Sequence, residues 1–275
     1  MSAPVILQLE RVSKHFGGLS VVEDLSFTVR RGSRAALIGP NGAGKTTVFN
    51  LISGVYPADA GAIRMDGVDI TQTPSRLRIR HGIARTFQNV RLMPHLSTLE
   101  NVIVGAHSRS GGWRGVLDPV NLTPRNRWRE EAREALAAAG LADYTSAPVG
   151  RLPYGVQKRI EVVRALMAKP SLLLLDEPAA GLNPAETETL RVYLEALSAD
   201  RGLTLLVVEH DMHFVGALCS DVIVLSFGRK IAEGSPEAVR LNPQVQEVYL
   251  GKPVPQPVES AAPEPKEHRR AACSA

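Results

Sequence analysis

The chain has 275 residues, 44% of them hydrophobic and 22% charged, and this composition excludes disordered, collagen-like and coiled-coil proteins. The longest apolar run, counting glycine, covers only residues 135–142, whereas a helix that crosses a bilayer needs about 20. A net charge of +4 without long basic blocks argues against a nucleic-acid partner and mildly favours an anionic membrane face.

The two cysteines indicate a reducing compartment. Cys219 lies in a helical pattern and Cys273 near the C-terminus, and two residues in such different settings form neither a disulfide framework nor a zinc site. The N-terminus lacks the basic and apolar regions of a secretory signal. We therefore expect a cytoplasmic protein, whose length suits one large domain or two small ones.

The first part of the chain favours antiparallel strands. Residues 5–9 and 25–29 are short, partly alternating and rich in strand formers, and Gly17-Gly18 supplies a turn between them. Asp66-Gly67 stands between strand-like residues of the segment 63–70, which is a hairpin signal. These patterns predict an N-terminal antiparallel β subdomain.

A phosphate-binding loop is predicted at residues 39–46, which fit the pattern G-x-x-x-x-G-K-[ST]. The pattern lies between a continuously apolar strand at 35–38 and a helical segment at 45–53, which is the context that the motif requires. The residues predicted to bind ATP here are Gly39, Pro40, Asn41, Gly42, Ala43, Gly44, Lys45, Thr46 and Thr47.

The chemistry of this loop follows from its residue types. Glycines let the backbone wrap a phosphate chain, so that successive N–H groups and the helix N-terminus face its negative charge. Lys45 is expected to reach the β- and γ-phosphates, and the Thr46 hydroxyl is expected to bind Mg²⁺. Alone, the same pattern could be a structural glycine-rich turn.

The middle of the chain predicts a helical insertion in a parallel sheet. From 99 to 168 the pattern is helical, with a Gly/Pro-rich stretch at 108–124, and we place the inserted subdomain at about 90–169. Apolar strands follow at 172–175, 204–208 and 222–225, separated by helix-length segments. The predicted fold is therefore α/β, with a mostly parallel P-loop NTPase core.

Two carboxylates end the strand at 172–175. In open α/β sheets ligands bind at the carboxyl ends of the strands, so both acids are expected to face the phosphate loop. Asp176 suits Mg²⁺ through its water shell, and Glu177 can take a proton from the water that attacks the γ-phosphate. An apolar run followed by Asp-Glu is unspecific alone, and the loop upstream makes it informative.

Further motifs occur in an order that resembles the ATP-binding subunits of ABC transporters over residues 5–251. Arg85-Thr86-Phe87-Gln88 resembles the Q-loop, and Leu152-Pro153-Tyr154-Gly155-Val156-Gln157 occupies the place of the signature LSGGQ. Residues 179–183 (AAGLN) stand where the D-loop belongs, and Glu209-His210-Asp211 resembles the switch histidine segment. Phe16 stands where the family has an aromatic residue that stacks on adenine.

The resemblance implies roles for these residues. Gln88 would contact Mg²⁺ and the attacking water, His210 would hold the γ-phosphate, and Phe16 would either stack on adenine or serve as a core aromatic. The segment that would bind the opposite subunit's γ-phosphate comprises Pro153, Tyr154, Gly155, Val156 and Gln157, and we expect the following helix to start near Gln157. Proline and tyrosine replace the usual serine and first glycine there, which removes a hydroxyl and a backbone N–H from that contact.

Within the family, the chain is most similar to the ATPases of branched-chain amino acid importers. The stretches that carry this similarity are RTFQNVRLMPHLSTLENV, LPYGVQKRIEVVRAL and VVEHDM. Related ATPases that import urea or export lipopolysaccharide share much of this sequence and remain alternatives. A soluble P-loop phosphotransferase would explain the phosphate loop but not the other motifs in order. An ABC ATPase of DNA repair or translation would carry a long coiled coil or two cores, which this chain lacks.

The resemblance also implies partners. These are permease membrane subunits, a second ATPase subunit of the same or another kind, and, through the complex, an external solute-binding protein. It places the chain at the cytoplasmic face of the cell membrane as a peripheral subunit, with residues 89–100 as the docking surface. We expect one ABC ATPase domain at 1–251 and a disordered tail at 252–275, where Pro alternates with Glu, Lys, Ala and Arg.

Overall fold

The computed structural model describes residues 3–109 and 122–249, and its centre is a six-stranded sheet in the order β10-β9-β3-β8-β7-β6. The predicted tail therefore lies outside the described residues, as does most of the Gly/Pro-rich stretch. The six strands are β3 (Arg34–Ile38), β6 (Ile83–Arg85), β7 (Leu172–Asp176), β8 (Thr204–Val208), β9 (Asp221–Ser226) and β10 (Arg229–Gly234).

Neighbouring strands of this sheet run parallel, except for β10 against β9. In register, β8 lies between β3 and β7, with Val208 opposite both Leu37 and Asp176. The segments that follow β3, β7 and β8 therefore leave the sheet at one edge. The mostly parallel core predicted from the apolar runs is confirmed, because strands buried on both faces need no polar alternation.

A second sheet is antiparallel and has the order β2-β1-β4-β5. Its strands are β1 (Val5–Phe16), β2 (Leu19–Arg30), β4 (Ala60–Met65) and β5 (Val68–Asp69). The turn at 17–18 and the hairpin at 66–67 are both confirmed. β1 and β2 are much longer than predicted, because their alternation of buried and exposed residues continues through charged positions that one face leaves in solvent.

Helices cover both faces of the parallel sheet. Helix α1 (Lys45–Ile52) packs between the two sheets, where its Phe49 and Leu51 join the larger hydrophobic core. On the other face of the sheet, a second hydrophobic core contains residues of the helices that follow β7 and β8. It also contains residues of the helices at the C-terminal end of the described chain. Other short helices of the core are α2 (Ser75–Arg78), a 3-10 turn (Ile79–His81), α8 (Pro236–Leu241) and α9 (Pro243–Tyr249).

The inserted helical subdomain lies between β6 and β7 in the chain and has its own hydrophobic core. Helix α3 begins with a capping box, in which Ser97 and Glu100 each bind the other's backbone N–H. Among the described residues of the subdomain, the α-helices are α3 (Thr98–Gly105), α4 (Leu122–Ala138) and α5 (Tyr154–Leu166), and we call α5 the signature helix.

The remaining elements carry two segments of the site. Helix α6 (Pro184–Arg201) follows the D-loop segment, and α7 (Met212–Leu218) follows the segment of His210. The patterns did not predict β6 and β10, because three residues are too few for a periodicity and β10 is partly charged. Within residues 3–109 and 122–249, no helix combines the length and the hydropathy that a membrane span requires.

Candidate functional site

The phosphate loop connects β3 to α1 at the edge where the parallel strands end. Gly44 immediately precedes the helix with a φ of 97°, in the left-handed region that favours glycine, and a side chain there would meet the Val21 carbonyl at 2.7 Å. No side chain caps α1. The N–H groups of its first turn are therefore available to an anion, because a helix does not bond them internally.

Lys45 is the buried cation of this loop. Its ammonium donates to the carbonyls of Gly39 at 2.7 Å and Pro40 at 2.9 Å, so the side chain folds back over the loop. Burial lowers the pKa of Lys45, while the nearby charges of Glu177 and Asp176 oppose that shift. Thr46 beside it is exposed, and its hydroxyl can reach a bound ion or phosphate without displacing a packed side chain.

Asp176 ends β7 and is held by an arginine that the sequence analysis did not select. Arg85 Nη2 donates to Asp176 Oδ2 at 2.7 Å, and both side chains are buried. The same guanidinium donates to Asn50 Oδ1 at 2.6 Å, at the end of α1, and lies over the ring of Phe87. The aspartate is thereby fixed in place, because its partner is anchored on two sides.

Gln88 and Glu177 are brought together as the motifs predict. Gln88 Nε2 donates to Glu177 Oε2 at 2.8 Å, and the Gln88 side chain is exposed. Glu177 has a φ of 47°, which is uncommon for a residue with a side chain, and its N–H donates to the Val208 carbonyl. This hydrogen bond and this conformation turn the carboxylate out of the strand and towards Gln88.

His210 follows β8 at the same edge and is exposed, with 63% of its side chain accessible. The preceding Glu209 is buried and accepts hydrogen bonds from the N–H groups of Ala179 at 2.9 Å and His210 at 3.1 Å. Burial raises the pKa of Glu209, against the effect of these hydrogen bonds. The D-loop and the histidine segment are therefore tied to one carboxylate.

Phe16 lies at the end of β1 with 42% of its surface exposed, so it is not a core aromatic. Its ring packs edge-on against Tyr56, with 5.1 Å between the ring centroids, and the Lys14 ammonium lies 5.4 Å from its centroid. Lys14 is in turn held by Asp59 at 2.6 Å. An exposed ring supported from behind can stack on a base, because one face stays open.

The signature helix begins at Tyr154, and the expectation that it starts near Gln157 is wrong. Pro153 precedes the helix with extended backbone, and proline is suited to a helix start because it has no N–H to satisfy. The ring of Tyr154 lies over Gly181 of the D-loop, and Gly155 is buried against the carboxylate of Glu186 on α6. Gln157 donates to the Leu152 carbonyl at 2.8 Å, and Val156 is buried.

Two groups of predicted residues are thus distinguished by their position. The phosphate loop, Asp176, Glu177, Gln88 and His210 lie at one edge of the parallel sheet. Among the residues that the structure describes, no hydrogen bond joins residues 153–157 to residues 39–47.

Sequence reasoning missed Arg85 and Lys158, which both contact the acidic strand end. Lys158 on the signature helix donates to the backbone carbonyls of Gln88 at 2.7 Å and Glu177 at 3.2 Å. The sequence carried a weak signal for Arg85, which follows the apolar residues Ile83 and Ala84, but none for Lys158, which stands between Gln157 and Arg159. Burial of such residues generally requires partners.

Comparison with known proteins gives a consistent result. Residues 22–180 match the family model described as ABC transporter, and residues 229–254 match that of the branched-chain amino acid ATP-binding cassette transporter. The chain is 39% identical to the high-affinity branched-chain amino acid transport ATP-binding protein BraF of Pseudomonas aeruginosa, over 92% of this chain and all of BraF.

Two further similarities agree with this. The corresponding protein LivG of Salmonella typhimurium is 37% identical, over 92% of this chain and all of LivG. The ADP conformation of an ATP-binding cassette of an ABC transporter superposes with a TM-score of 0.79 at 31% identity, over 91% of this chain and all of that one. The chain belongs to the ABC transporter family, as one of its ATP-binding proteins.

Proposed function

We propose that this protein hydrolyses ATP to drive an importer of branched-chain or similar amino acids. The observation that carries this proposal is the hydrogen bond between the Gln88 amide and the Glu177 carboxylate, at the sheet edge where the phosphate loop also ends. An amide and a carboxylate that lie this close can both contact the same water molecule, and the carboxylate can take a proton from it. The relatives named above supply the transported class.

Mg²⁺ fits the donors at this edge. The Thr46 hydroxyl, the Asp176 carboxylate and the Gln88 amide oxygen are hard oxygen donors, which Mg²⁺ prefers, and Mg²⁺ commonly keeps several waters as ligands. When bound, the ion neutralises charge on the β- and γ-phosphates. Arg85 limits Asp176 to one free oxygen, which suits contact through a water better than direct two-oxygen binding.

The chain's own residues account for the remaining steps. Lys45 leaves the two loop carbonyls and binds the phosphates, and Phe16 stacks on the adenine ring. Glu177 accepts a proton from water as the water oxygen attacks the γ-phosphorus, the bond to the bridging oxygen breaks, and ADP and phosphate form. Gln88 orients that water, and His210, exposed at the strand end, donates to the γ-phosphate.

A second ATPase subunit completes each site. Pro153 and Tyr154 at the start of the signature helix are exposed, and no side chain caps the N–H groups of its first turn. Since they lie away from the phosphate loop of their own chain, the γ-phosphate that they bind belongs to a partner, with the Gly155 N–H as the main donor. Two chains arranged head to tail then enclose two nucleotides.

The permease subunits dock on the cleft between the core and the helical subdomain. This cleft has a volume of about 370 Å³, and Arg78, Arg85 and Arg164 contribute to its wall. Within the described part of the chain, Arg78 Nη1 and Arg85 Nε are buried without a hydrogen-bond partner. Exposed Val104 on α3 borders the cleft, and exposed Met93 lies in the adjoining segment 89–100. A cytoplasmic segment with a carboxylate or carbonyl group and apolar side chains fits this surface.

The remaining assignments follow from this function. We assign one ABC ATPase domain to residues 1–251 and a separate tail to 252–275. The protein acts at the cytoplasmic face of the cell membrane, and an external solute-binding protein delivers the solute to the permease. Import of urea and export of lipopolysaccharide are the alternative transport reactions for the same ATPase.

The test is transport by the complete complex in vesicles. The protein is co-expressed with the permease subunits encoded beside it, and ATP-dependent uptake of leucine, uptake of urea and release of lipopolysaccharide are compared. Leucine uptake that is abolished by Glu177→Gln supports the proposal. Uptake of urea alone or release of lipopolysaccharide alone would identify that compound, and not an amino acid, as the transported substrate. Transport that Glu177→Gln leaves intact would contradict the ATPase role.

A second experiment tests the docking surface. Val104→Asp places a charge on the cleft, and we expect the variant to stay in the supernatant when permease-containing membranes are pelleted, with its basal ATP hydrolysis unchanged. The matched control is Val192→Asp, at an exposed valine on α6 outside the cleft. Equal pelleting of both variants would exclude this cleft.

A further inference from the structure

Lys158 connects the signature helix to the two residues that act on water. Its ammonium donates to the backbone carbonyl of Gln88 at 2.7 Å and to that of Glu177 at 3.2 Å. The side chains of the same two residues are joined by the hydrogen bond of 2.8 Å. Gln88 and Glu177 are thus linked twice, once through their side chains and once through Lys158.

The setting of Lys158 makes this link stiff. The residue is only 4% exposed, and its ammonium lies 5.7 Å from the ring centroid of Tyr154 in the signature segment. Burial lowers its pKa, and the charges of Glu161, Glu209, Glu177 and Asp176 oppose that shift. A buried ammonium that loses its partners pays a large desolvation cost, so it keeps them when the surrounding elements move.

The next two turns of the signature helix hold the same loop further along. Glu161 is 2% exposed and accepts from the Arg91 N–H at 3.2 Å, and Arg164 donates to the Arg91 carbonyl at 2.5 Å. Lys158, Glu161 and Arg164 are spaced by three residues and lie on one face of the helix. The helix and the segment from Gln88 to Arg91 therefore move as one body.

We propose that Lys158 is a positioning residue for ATP hydrolysis, which holds Gln88 and Glu177 from the signature helix so that water is oriented only when the helical subdomain is correctly placed. The inference rests on the proposed function, since it assumes that Gln88 and Glu177 act on water. Rotation of the helical subdomain shifts the backbone of both residues together. The hydrolysis rate of one site then depends on the helix that serves the partner's site.

The test compares Lys158→Met, which keeps the length of the side chain without its charge, with Lys158→Arg and a matched control. The control is Arg159→Met, at the next basic residue of the helix; within the described residues its guanidinium donates to the Ala139 carbonyl at 3.4 Å. We expect Lys158→Met to lower kcat about 10- to 100-fold, because small misplacements of catalytic groups have effects of that size.

The nucleotide Kd is expected to stay within about threefold in Lys158→Met, since Lys158 does not contact the phosphate loop. Lys158→Arg should recover most of the rate, and Arg159→Met should retain it. In the double variant Lys158→Met with Gln88→Ala, the decrease in kcat should be smaller than the product of the decreases in the two single variants. The reason is that the effects of two residues that act through one another are not additive. A merely structural role would give independent effects and no recovery with arginine.

Several outcomes would overturn the inference. Normal turnover in Lys158→Met, equal loss in Arg159→Met, or a parallel loss of kcat and nucleotide affinity would each do so. If Lys158→Met does not fold, Lys158→Gln is used in its place. This variant keeps an N–H donor group without the charge, and we expect its hydrolysis rate to lie between that of Lys158→Met and that of the unmodified protein. Failure of the proposed function is distinguishable, because Glu177→Gln would then hydrolyse ATP normally whatever the result at Lys158.

Discussion

The phosphate loop and the signature segment have similar local structures but different neighbouring side chains. Each leads into the first turn of a helix, α1 or the signature helix, and neither helix has a side-chain cap. The N–H groups of both first turns therefore remain for an anion. In the phosphate loop the buried Lys45 and the acids of β7 lie beside that turn.

At the signature segment, the charged side chains beside that turn are Lys158 and Glu186 of the same chain, and each holds backbone groups of the chain. Tyr154 covers Gly181, and Gly155 packs on Glu186, so its neighbours are the D-loop and the start of α6. Under the proposed function, these two regions are unlike halves of a nucleotide site at separate places in the chain. One half has the reacting groups, and the other offers mainly backbone donors, as the proposed head-to-tail dimer requires.

The largest expected effect separates binding from hydrolysis in the first half. Glu177→Gln keeps the shape and the hydrogen bond to Gln88 but removes the base, so hydrolysis should fall by about 100-fold or more while ATP binding survives. A stable ATP-bound dimer should accumulate, visible by sedimentation. Glu237→Gln, an exposed glutamate at the start of α8, is the control. Near-normal turnover of Glu177→Gln would remove Glu177 from its role.

The second effect concerns Lys45, the buried cation of the phosphate loop. Lys45→Ala should weaken nucleotide binding by about 10- to 100-fold, the value of one charge-assisted hydrogen bond. Lys45→Arg should recover little of the nucleotide affinity, since a planar guanidinium does not fit where the ammonium lies between two carbonyls. Titration with a fluorescent ATP analogue and Mg²⁺ measures both, with Lys169→Ala as control. Unchanged affinity in Lys45→Ala would disprove the phosphate loop assignment.

The third pair of variants compares one glycine from each region. Gly44→Ala forces a side chain into the left-handed region and against the Val21 carbonyl, and should cost about 2 kcal/mol or more of folding free energy. Gly155→Ala displaces only the end of the Glu186 side chain and thereby the cap of α6, and should cost about 1 kcal/mol. Urea denaturation measures both, and an equal or reversed order would contradict this account of the two turns.

The smallest effect would make the two regions more alike. Pro153→Ser places a hydroxyl before the signature helix, where it can accept from an N–H of the first turn, and should stabilise the fold by about 1 kcal/mol. The same hydroxyl can donate to the partner's γ-phosphate, so in a Glu177→Gln background the dimer should tighten by about tenfold. Sedimentation at several concentrations measures the second effect.

Pro148→Ser, before another short helical turn, is the control for this variant. A dimer constant that does not move, together with the expected gain in stability, would show that residue 153 faces away from the nucleotide. The contact assigned to the Gly155 N–H would then lose its support. A gain of stability in Pro148→Ser of the same size would attribute the effect to capping in general.

The fold could be predicted where local pattern and tertiary role coincide. The strands at 172–175 and 204–208 are continuously apolar because both faces are buried, and the order of motifs placed them in one parallel sheet. The three-residue β6 escaped prediction because its pairing with β7, and not its own pattern, makes it a strand. The start of the signature helix was misplaced because Pro153-Tyr154-Gly155 contains no favoured helix start except the proline itself.

The phosphate loop, the acids after β7 and the family could be identified from the sequence, since they depend on residue types at fixed spacing along one stretch of chain. The tertiary structure alone decided that Arg85 holds Asp176 and that Lys158 holds Gln88 and Glu177. Those contacts join residues far apart in the chain. Their physical cause is the burial of a charge, which must find partners wherever the packing of other elements brings them.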